Sequence, residues 1–419
     1  MQIGQKDEKF SNVEGTPSQK TQAAKAPKIA FVHEYLVQYG GAQKTLEAML
    51  EVFPNSPIYT GLYDKKSMSS FLNNQTIHST QNKLLSKFQK YLTFLMPLVF
   101  EGMDLQDFDI IISDGTAWPK GVLTNTHQLH ISYIHTPPRF LYGYSVESQK
   151  RDKWYFKPIL KVVDNILRVW DYNAAQRPDF LLTNSFETLA RIKKFYGREA
   201  KVIYPPVELS YNNPETSSEE KIIAEEQEQN TSKNYYIMLG RLSAYKNFDV
   251  VIKAFNKNGK NLVILGTGYE ENYLRSIAKT NITFIGRATD KQKSYYLENC
   301  KGLINAVQDE DFGIVPIEAM AYGKPVLAHR SGGHLETIVE GLSGMFFESL
   351  EVGDLIKSIE SFDKSIEEGL FDAGSIKKSV QKFDKEIFKK DLKDFVLSKW
   401  EEKLNAGATR SSHHSSRNQ

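Results

Sequence analysis

At 419 residues the chain is longer than a single hydrophobic core comfortably serves, and at about 100–200 residues per domain it predicts two domains with extensions. Its 40% hydrophobic and 25% charged residues are those of an ordinary soluble globular protein, which excludes the fibrous and wholly disordered classes. A formal net charge of +2 supplies no global basic field, so nucleic acid is not the expected partner and any anion site must be local.

Residues 1–27 are polar and lack an apolar h-region, which predicts a disordered extension and not a signal peptide. The single cysteine, Cys300, has no partner for an internal disulfide and no C-x-x-C companion for zinc, which fits a reducing compartment. No apolar run approaches the roughly 20 residues of a membrane span. The first folded segment reads as a strand over Lys28–His33, a loop ending in Gly40 and Gly41, and an amphipathic helix carrying Leu46, Met49, Leu50 and Phe53. Further strands are expected at "DIIISDG", "HISYIH" and "DFLLTNS", each ending in polar or small residues, as in a parallel sheet covered by helices on both faces. The stretch "NKLLSKFQKYLTFLMPLVFEGM" mixes lysines with large apolar residues and has two readings over 83–100, a membrane-interfacial helix or a buried domain helix.

After "VIYPPVEL" the pattern dissolves into serine, asparagine and acidic residues. The chain then restarts at "YYIMLGRLSAYKNFDVVIKAF" as strand, glycine turn and helix, followed by strands "NLVILG", "ITFIG", "GLINAV" and "PVLA". The expected architecture is α/β, with two doubly wound domains: an amino-terminal domain over 28–207, an exposed connector over 208–233 and a carboxyl-terminal domain over 234–385. An amphipathic helix over 386–404 either packs back across a domain face or simply ends the chain, and 405–419 reads as a flexible tail.

Ligands of doubly wound domains sit at the carboxyl ends of the strands, so the loops there are the candidate sites. Gly40 and Gly41 either bring backbone close to a phosphate or make a tight turn. Arg241 and Lys246 either converge on a diphosphate at a helix N-terminus or are solvated surface charges. In "DEDFGIVPIEAMAYGKPV" a helix is expected from Ile314, placing Glu310 in the preceding loop and Glu318 about one turn inside the helix. Each carboxylate accepts two hydroxyl hydrogen bonds, which suits a sugar or ribose, and the N–H groups of Phe312, Gly313 and Ile314 lie between them. Acids favoured by a helix dipole explain one of the pair and not both.

These segments resemble the retaining glycosyltransferases of the GT-B fold, specifically the large fourth family of nucleotide-sugar-dependent transferases, over about Lys28–Leu404. The motif Glu, seven residues, Glu from Glu310 to Glu318 carries the resemblance, with "GGAQK", "GRLSAYKN", "YPPVEL" and "SGGHLETI" in support; "HEYLVQYGGAQKTLEAMLEVFPNSPIYT" and "YIHTPPRFLYG" are similar to the bacterial O-antigen mannosyltransferase subgroup. The resemblance implies that Arg241 and Lys246 hold a donor diphosphate, Glu310 touches the hexose, Glu318 binds the ribose, Gly40 and Gly41 abut the distal phosphate, and His135 stands near the anomeric carbon. It further implies transfer from GDP-mannose or a UDP-hexose to a glycan or lipid-linked acceptor in surface polysaccharide synthesis, without cofactor or metal, in the cytoplasm or at the inner face of the membrane. His334 and Leu335 stand where many relatives carry leucine and proline, a departure that bears on the donor-side loop.

His135 ends a strand in the expected cleft, where it fits positioning and charge stabilisation and not general base catalysis, since the leaving diphosphate can itself take the acceptor's proton. Asp114, Lys120 and Arg139, on amino-domain loops, are the acceptor-side candidates. Competing readings are an epimerase or phosphorylase on the same fold and a catalytically silent nucleotide-sugar-binding module. A dinucleotide-dependent dehydrogenase is disfavoured because no G-x-G-x-x-G follows the first strand.

Overall fold

The computed structural model describes residues 26–79, 93–144, 157–209 and 234–415. Among these, seven strands form a first sheet: β1 (Ile29–His33), β2 (Ile58–Thr60), β3 (Ile77–Ser79), β4 (Ile110–Gly115), β5 (Leu129–Ile134), β6 (Phe180–Thr183) and β7 (Lys201–Val202). Their order is β3-β2-β1-β4-β5-β6-β7 and their pairings are parallel. β4 and β5, at the centre of the sheet, are buried along their whole length; β4 opens on the apolar run Ile110–Ile112, while β5 buries His130 and Ser132 between its apolar residues.

The second sheet has six strands: β8 (Tyr235–Leu239), β9 (Asn261–Leu265), β10 (Ile282–Gly286), β11 (Gly302–Asn305), β12 (Val326–His329) and β13 (Gly344–Phe347). It runs β10-β9-β8-β11-β12-β13, again with parallel pairings. Both sheets therefore reverse strand order beside their first strand, and that reversal opens a crevice at the strand ends. Apolar residues pack on both faces of the second sheet, with Ile237, Val263 and Ile317 on one side and Phe255, Ile264 and Phe362 on the other.

The last helix, Lys385–Ser415, begins where the sequence places it but continues through the stretch read as a flexible tail from 405. This helix does not belong to the second domain's core. Phe388, Leu392 and Val396 are fully buried in the amino-domain cluster with Leu46, Met49 and Ile112. At about 1.5–3 kcal/mol per buried large side chain, their docking is worth several kcal/mol. Phe388→Ala is accordingly expected to destabilise the amino domain by about 3–5 kcal/mol, read as a lowered midpoint in denaturant with unchanged slope. The chain thus crosses between domains twice, and the crossings lie side by side: Val207 N donates to Phe383 O at 3.1 Å and Lys385 N to Val207 O at 3.1 Å.

No helix of the described residues is long and apolar enough to cross a membrane. Much of the 83–100 stretch lies outside the described residues. At its described end the helix Met96–Glu101 buries Met96, Pro97 and Phe100 while Phe94 and Leu98 are 50% and 67% exposed.

Candidate active site

β1, β4 and β5 are neighbours, so their carboxyl ends bring His33, Asp114 and His135 to one edge. In the β1–β4 register His33 lies beside Asp114, and His135 follows β5 directly. The fully buried Asp114 has Oδ2 2.7 Å from His33 Nδ1 and Oδ1 2.7 Å from His135 Nε2. Burial alone would raise this carboxyl, but the two imidazoles outweigh it and hold the pKa down to about 2. For His135 burial works against the charged form, and the Asp114 carboxylate overcomes it, leaving the pKa raised. Asp114 occupies Nε2, which leaves Nδ1 as the ring nitrogen it does not engage. His33 is tied in turn to the helix Gly41–Val52, through Gln43 Nε2 at 3.1 Å from His33 Nε2.

The second domain supplies the other wall. Gly240, φ +139, follows β8, and a Cβ there would lie 2.8 Å from Lys246 Nζ; glycine lets that ammonium rest against the strand end. The helix Phe248–Asn258 begins after Asn247, whose side-chain amide donates to Ala306 O at 2.8 Å and so ties the Arg241–Lys246 loop to the end of β11. The loop after β11 carries Glu310 and leads through Phe312 and Gly313, the N-cap, into the helix Ile314–Ala321, with the start the sequence indicates. Gly332, φ +59, approaches so closely that a Cβ would stand 2.3 Å from Glu310 O. His334 donates from Nδ1 to His329 O at 2.9 Å and lies against Gly313, and burial keeps its pKa low. The departure at His334 is thereby accommodated as a buried ring that favours its neutral form and pins the 330–333 loop to the end of β12.

Glu318 is buried in the helix and accepts from Lys293 Nζ at 2.9 Å, with Lys44 Nζ 3.6 Å away. Burial would raise its pKa, but the two ammoniums outweigh that and lower it. Lys44 belongs to the amino-domain helix that begins at Gly41, and a Cβ on Gly41 would stand 3.0 Å from Ile314 Cδ1. The glycine turn of one domain therefore abuts the acid-bearing helix of the other.

Of the acceptor-side candidates, Asp114 is the residue that holds His135. Lys120 turns away into the protein: it is buried, lies 2.6 Å from Asp171 Oδ1 and donates to Ala117 O at 2.5 Å, because the short 119–121 turn folds beneath its own loop. Arg139 crosses the cleft, with Nη2 2.5 Å from Asp309 O and 2.8 Å from Asp311 Oδ1. Sequence reasoning did not single out His33, Lys44, Lys293, Arg191 or Asp311. His33 carried the same strand-end signal as His135, and Lys44 sits within "GGAQK"; Lys293 and Arg191 look like ordinary cations on amphipathic helices.

Two doubly wound domains meeting over strand-end loops, with acids and cations from both walls, define a two-domain transferase cleft. Residues 219–368 match the family model of glycosyl transferases group 1. The chain is 26% identical over 382 residues to the alpha-1,3/1,6-mannosyltransferase ALG2 of Candida glabrata, covering 75% of this chain and 79% of that one. It is 24% identical over 295 residues to human ALG2, covering 63% and 66%. Among solved structures, Anabaena HepE in complex with UDP and glucose aligns with a TM-score of 0.62 at 17% identity, covering 89% of this chain and 100% of that one. Sucrose-phosphate synthase from Thermosynechococcus elongatus aligns with a TM-score of 0.65 at 14% identity, covering 88% and 98%. The chain has the GT-B fold, and its similarity to the glycosyl transferases of group 1 rests on residues 219–368 and on the ALG2 relatives.

Proposed function

We propose that the chain is a retaining hexosyltransferase that moves a hexose, best matched by mannose from GDP-mannose, with a UDP-hexose as the second donor class, to a glycan or lipid-linked acceptor in surface polysaccharide synthesis. The observation that carries this reading is the facing arrangement of the Asp114-held His135 and the Glu310 loop, with Arg241 and Lys246 following β8. Mannose is favoured by the likeness to the ALG2 mannosyltransferases, while the UDP bound to HepE keeps the uridine donors open.

In this reading Arg241 and Lys246 hold the diphosphate, the N–H groups of Phe312, Gly313 and Ile314 and the turn at Gly40 and Gly41 lie against it, and Glu318 exchanges its lysine partners for ribose hydroxyls. The acceptor oxygen bonds to the anomeric carbon on the face from which the diphosphate departs. The bond from that carbon to the diphosphate breaks, and the acceptor's proton passes to a diphosphate oxygen. The enzyme positions both partners and stabilises charge, His135 toward the leaving group and Glu310 at the hexose, and side-chain cations and helix ends do so without a metal or cofactor. Peripheral contact of the amino domain with the inner face of a membrane through 83–100 accompanies a lipid-linked acceptor.

Arg241→Ala and Lys246→Ala are each expected to weaken nucleoside-diphosphate binding by about 1.5–3 kcal/mol, as removal of a charge-assisted contact does, with the fold intact. Calorimetry against GDP and UDP, followed by transfer assays with GDP- and UDP-sugars, tests the reading, and proton NMR of the product gives the anomeric configuration. A wild-type chain that binds no nucleoside diphosphate, or a product of inverted configuration, overturns it.

A further inference from the structure

The loop bearing Glu310 is gripped from across the cleft on both sides of that residue. Asp309 holds a left-handed backbone, φ 53, which is uncommon for a residue with a side chain. Its carbonyl accepts from Arg139 Nη2 at 2.5 Å and from Arg191 Nη2 at 2.9 Å. On the far side of Glu310, the Asp311 carboxylate pairs with both guanidiniums, and its carbonyl accepts from Ser185 Oγ at 2.5 Å. Arg191 lies on the helix Phe186–Tyr196 with its side chain only 2% exposed, and its Nη1 also reaches Thr136 Oγ1 at 3.1 Å.

Arg139 and Thr136 belong to the segment that follows His135. The same segment that presents His135 therefore fixes the loop that presents Glu310. Arg139 also lies over the Tyr245 ring, 5.6 Å from its centroid, and Lys246 is the next residue. One amino-domain side chain thus touches the loops of both the expected hexose acid and an expected phosphate cation.

Resting on the reading above, we propose that Arg139 and Arg191 are positioning residues, a clamp that sets Glu310 in register with His135 across the cleft. Neither needs to touch the donor. Each fixes the backbone from which Glu310 projects: Arg191 uses both terminal nitrogens, Nη1 to the Asp311 carboxylate and Nη2 to Asp309 O, a fork that a lysine cannot reproduce, and Arg139 reaches the same two groups through Nη2. Misplacement of a reacting group by about 1 Å costs on the order of 100-fold in rate, so loss of the clamp is read in turnover and not in nucleotide affinity.

The test compares Arg191→Met, Arg191→Lys and Asp311→Asn with the wild-type full chain. The expected result is a turnover number reduced by on the order of 100-fold in Arg191→Met, less in Arg191→Lys, and also reduced in Asp311→Asn, with nucleoside-diphosphate affinity unchanged in all three. Should Arg191→Met not fold, Asp311→Asn decides the matter, since that carboxylate lies on a loop and is 24% exposed. Unaltered turnover in the folded variants overturns the proposal. So does a parallel fall of affinity, turnover and melting temperature, which marks a scaffold role only. Failure of the wild type to bind nucleoside diphosphate would instead strike the underlying functional reading.

Discussion

Glu318→Ala is expected to weaken binding of free nucleoside diphosphate and of the whole donor by the same factor, whereas Glu310→Ala leaves diphosphate binding nearly unchanged and lowers the transfer rate. Both the free diphosphate and the donor carry the ribose assigned to Glu318, and only the donor carries the hexose assigned to Glu310. The structure adds a term to the first expectation. Glu318 compensates Lys293 and Lys44, and these are 15% and 38% exposed, so both can turn to solvent once the acid is gone. The direct loss is then the charge-assisted contacts to ribose, about 1.5–3 kcal/mol, or roughly 10- to 100-fold in affinity. Glu310 Oε1 instead accepts from Asp311 N, in its own loop, at 3.2 Å. Its truncation acts where charge develops at the anomeric carbon, so turnover falls. Calorimetry with the diphosphate and initial rates with the true donor separate the two acids. Abolished diphosphate binding in Glu310→Ala, or full rates in both variants, would show that the acids do not divide hexose and ribose between them.

The second large effect is expected at Asp114, which acts through His135. Asp114→Asn keeps the shape and removes the charge that raises the His135 pKa against the opposing effect of burial. His135 then loses its proton at lower pH. If the imidazolium faces the leaving diphosphate, the alkaline limb of the rate profile moves toward acid and the rate near neutrality falls on the order of 100-fold. A profile that stays in place while the rate falls uniformly would assign Asp114 to scaffolding alone. The same groups set opposite stability dependences on pH. Asp114, lowered from 3.8 to about 2, contributes roughly 2 kcal/mol that is present above its ordinary pKa and lost as pH drops through the folded value. His135, raised from 6.5, contributes stability present below that value and lost as pH climbs through the folded one.

Much of this architecture was legible in the chain itself. The two restarts of strand, glycine turn and helix correspond to β1 and β8 with their following helices, and the start of the helix bearing Glu318 lies at Ile314 as expected. The strands that escaped notice are short or at sheet edges. β2 and β3 have three residues each and β7 has two, too few for any periodicity to register, and β13 is a four-residue edge strand. The pairings across the cleft were hidden for a different reason. Arg191 and Asp311 stand 120 positions apart, and a cation in "LARIKKF" looks solvated until the second domain covers it. Lys120 shows the converse: a charge on a loop near the site that the fold buries against Asp171. His33 was available to sequence reasoning on the same grounds as His135, since both end strands that neighbour β4 or adjoin it.

The paired crossings at Val207 and Phe383–Lys385 also set how the molecule can move. Two separate tethers at distant points would hold the lobes rigidly, and a single tether would let one lobe swivel freely. Two connections joined along one short line, by the parallel bridge of Val207 with Asp384, behave like the spine of a book. Rotation about that line stretches neither connection, while sliding or twisting strains both. Opening is therefore confined to one soft angular coordinate, and the displacement it produces grows with distance from the spine. Side chains near the line barely separate. Groups at the outer margin travel farthest for the same angle, so a substrate entering there meets the widest gap at the least angular cost.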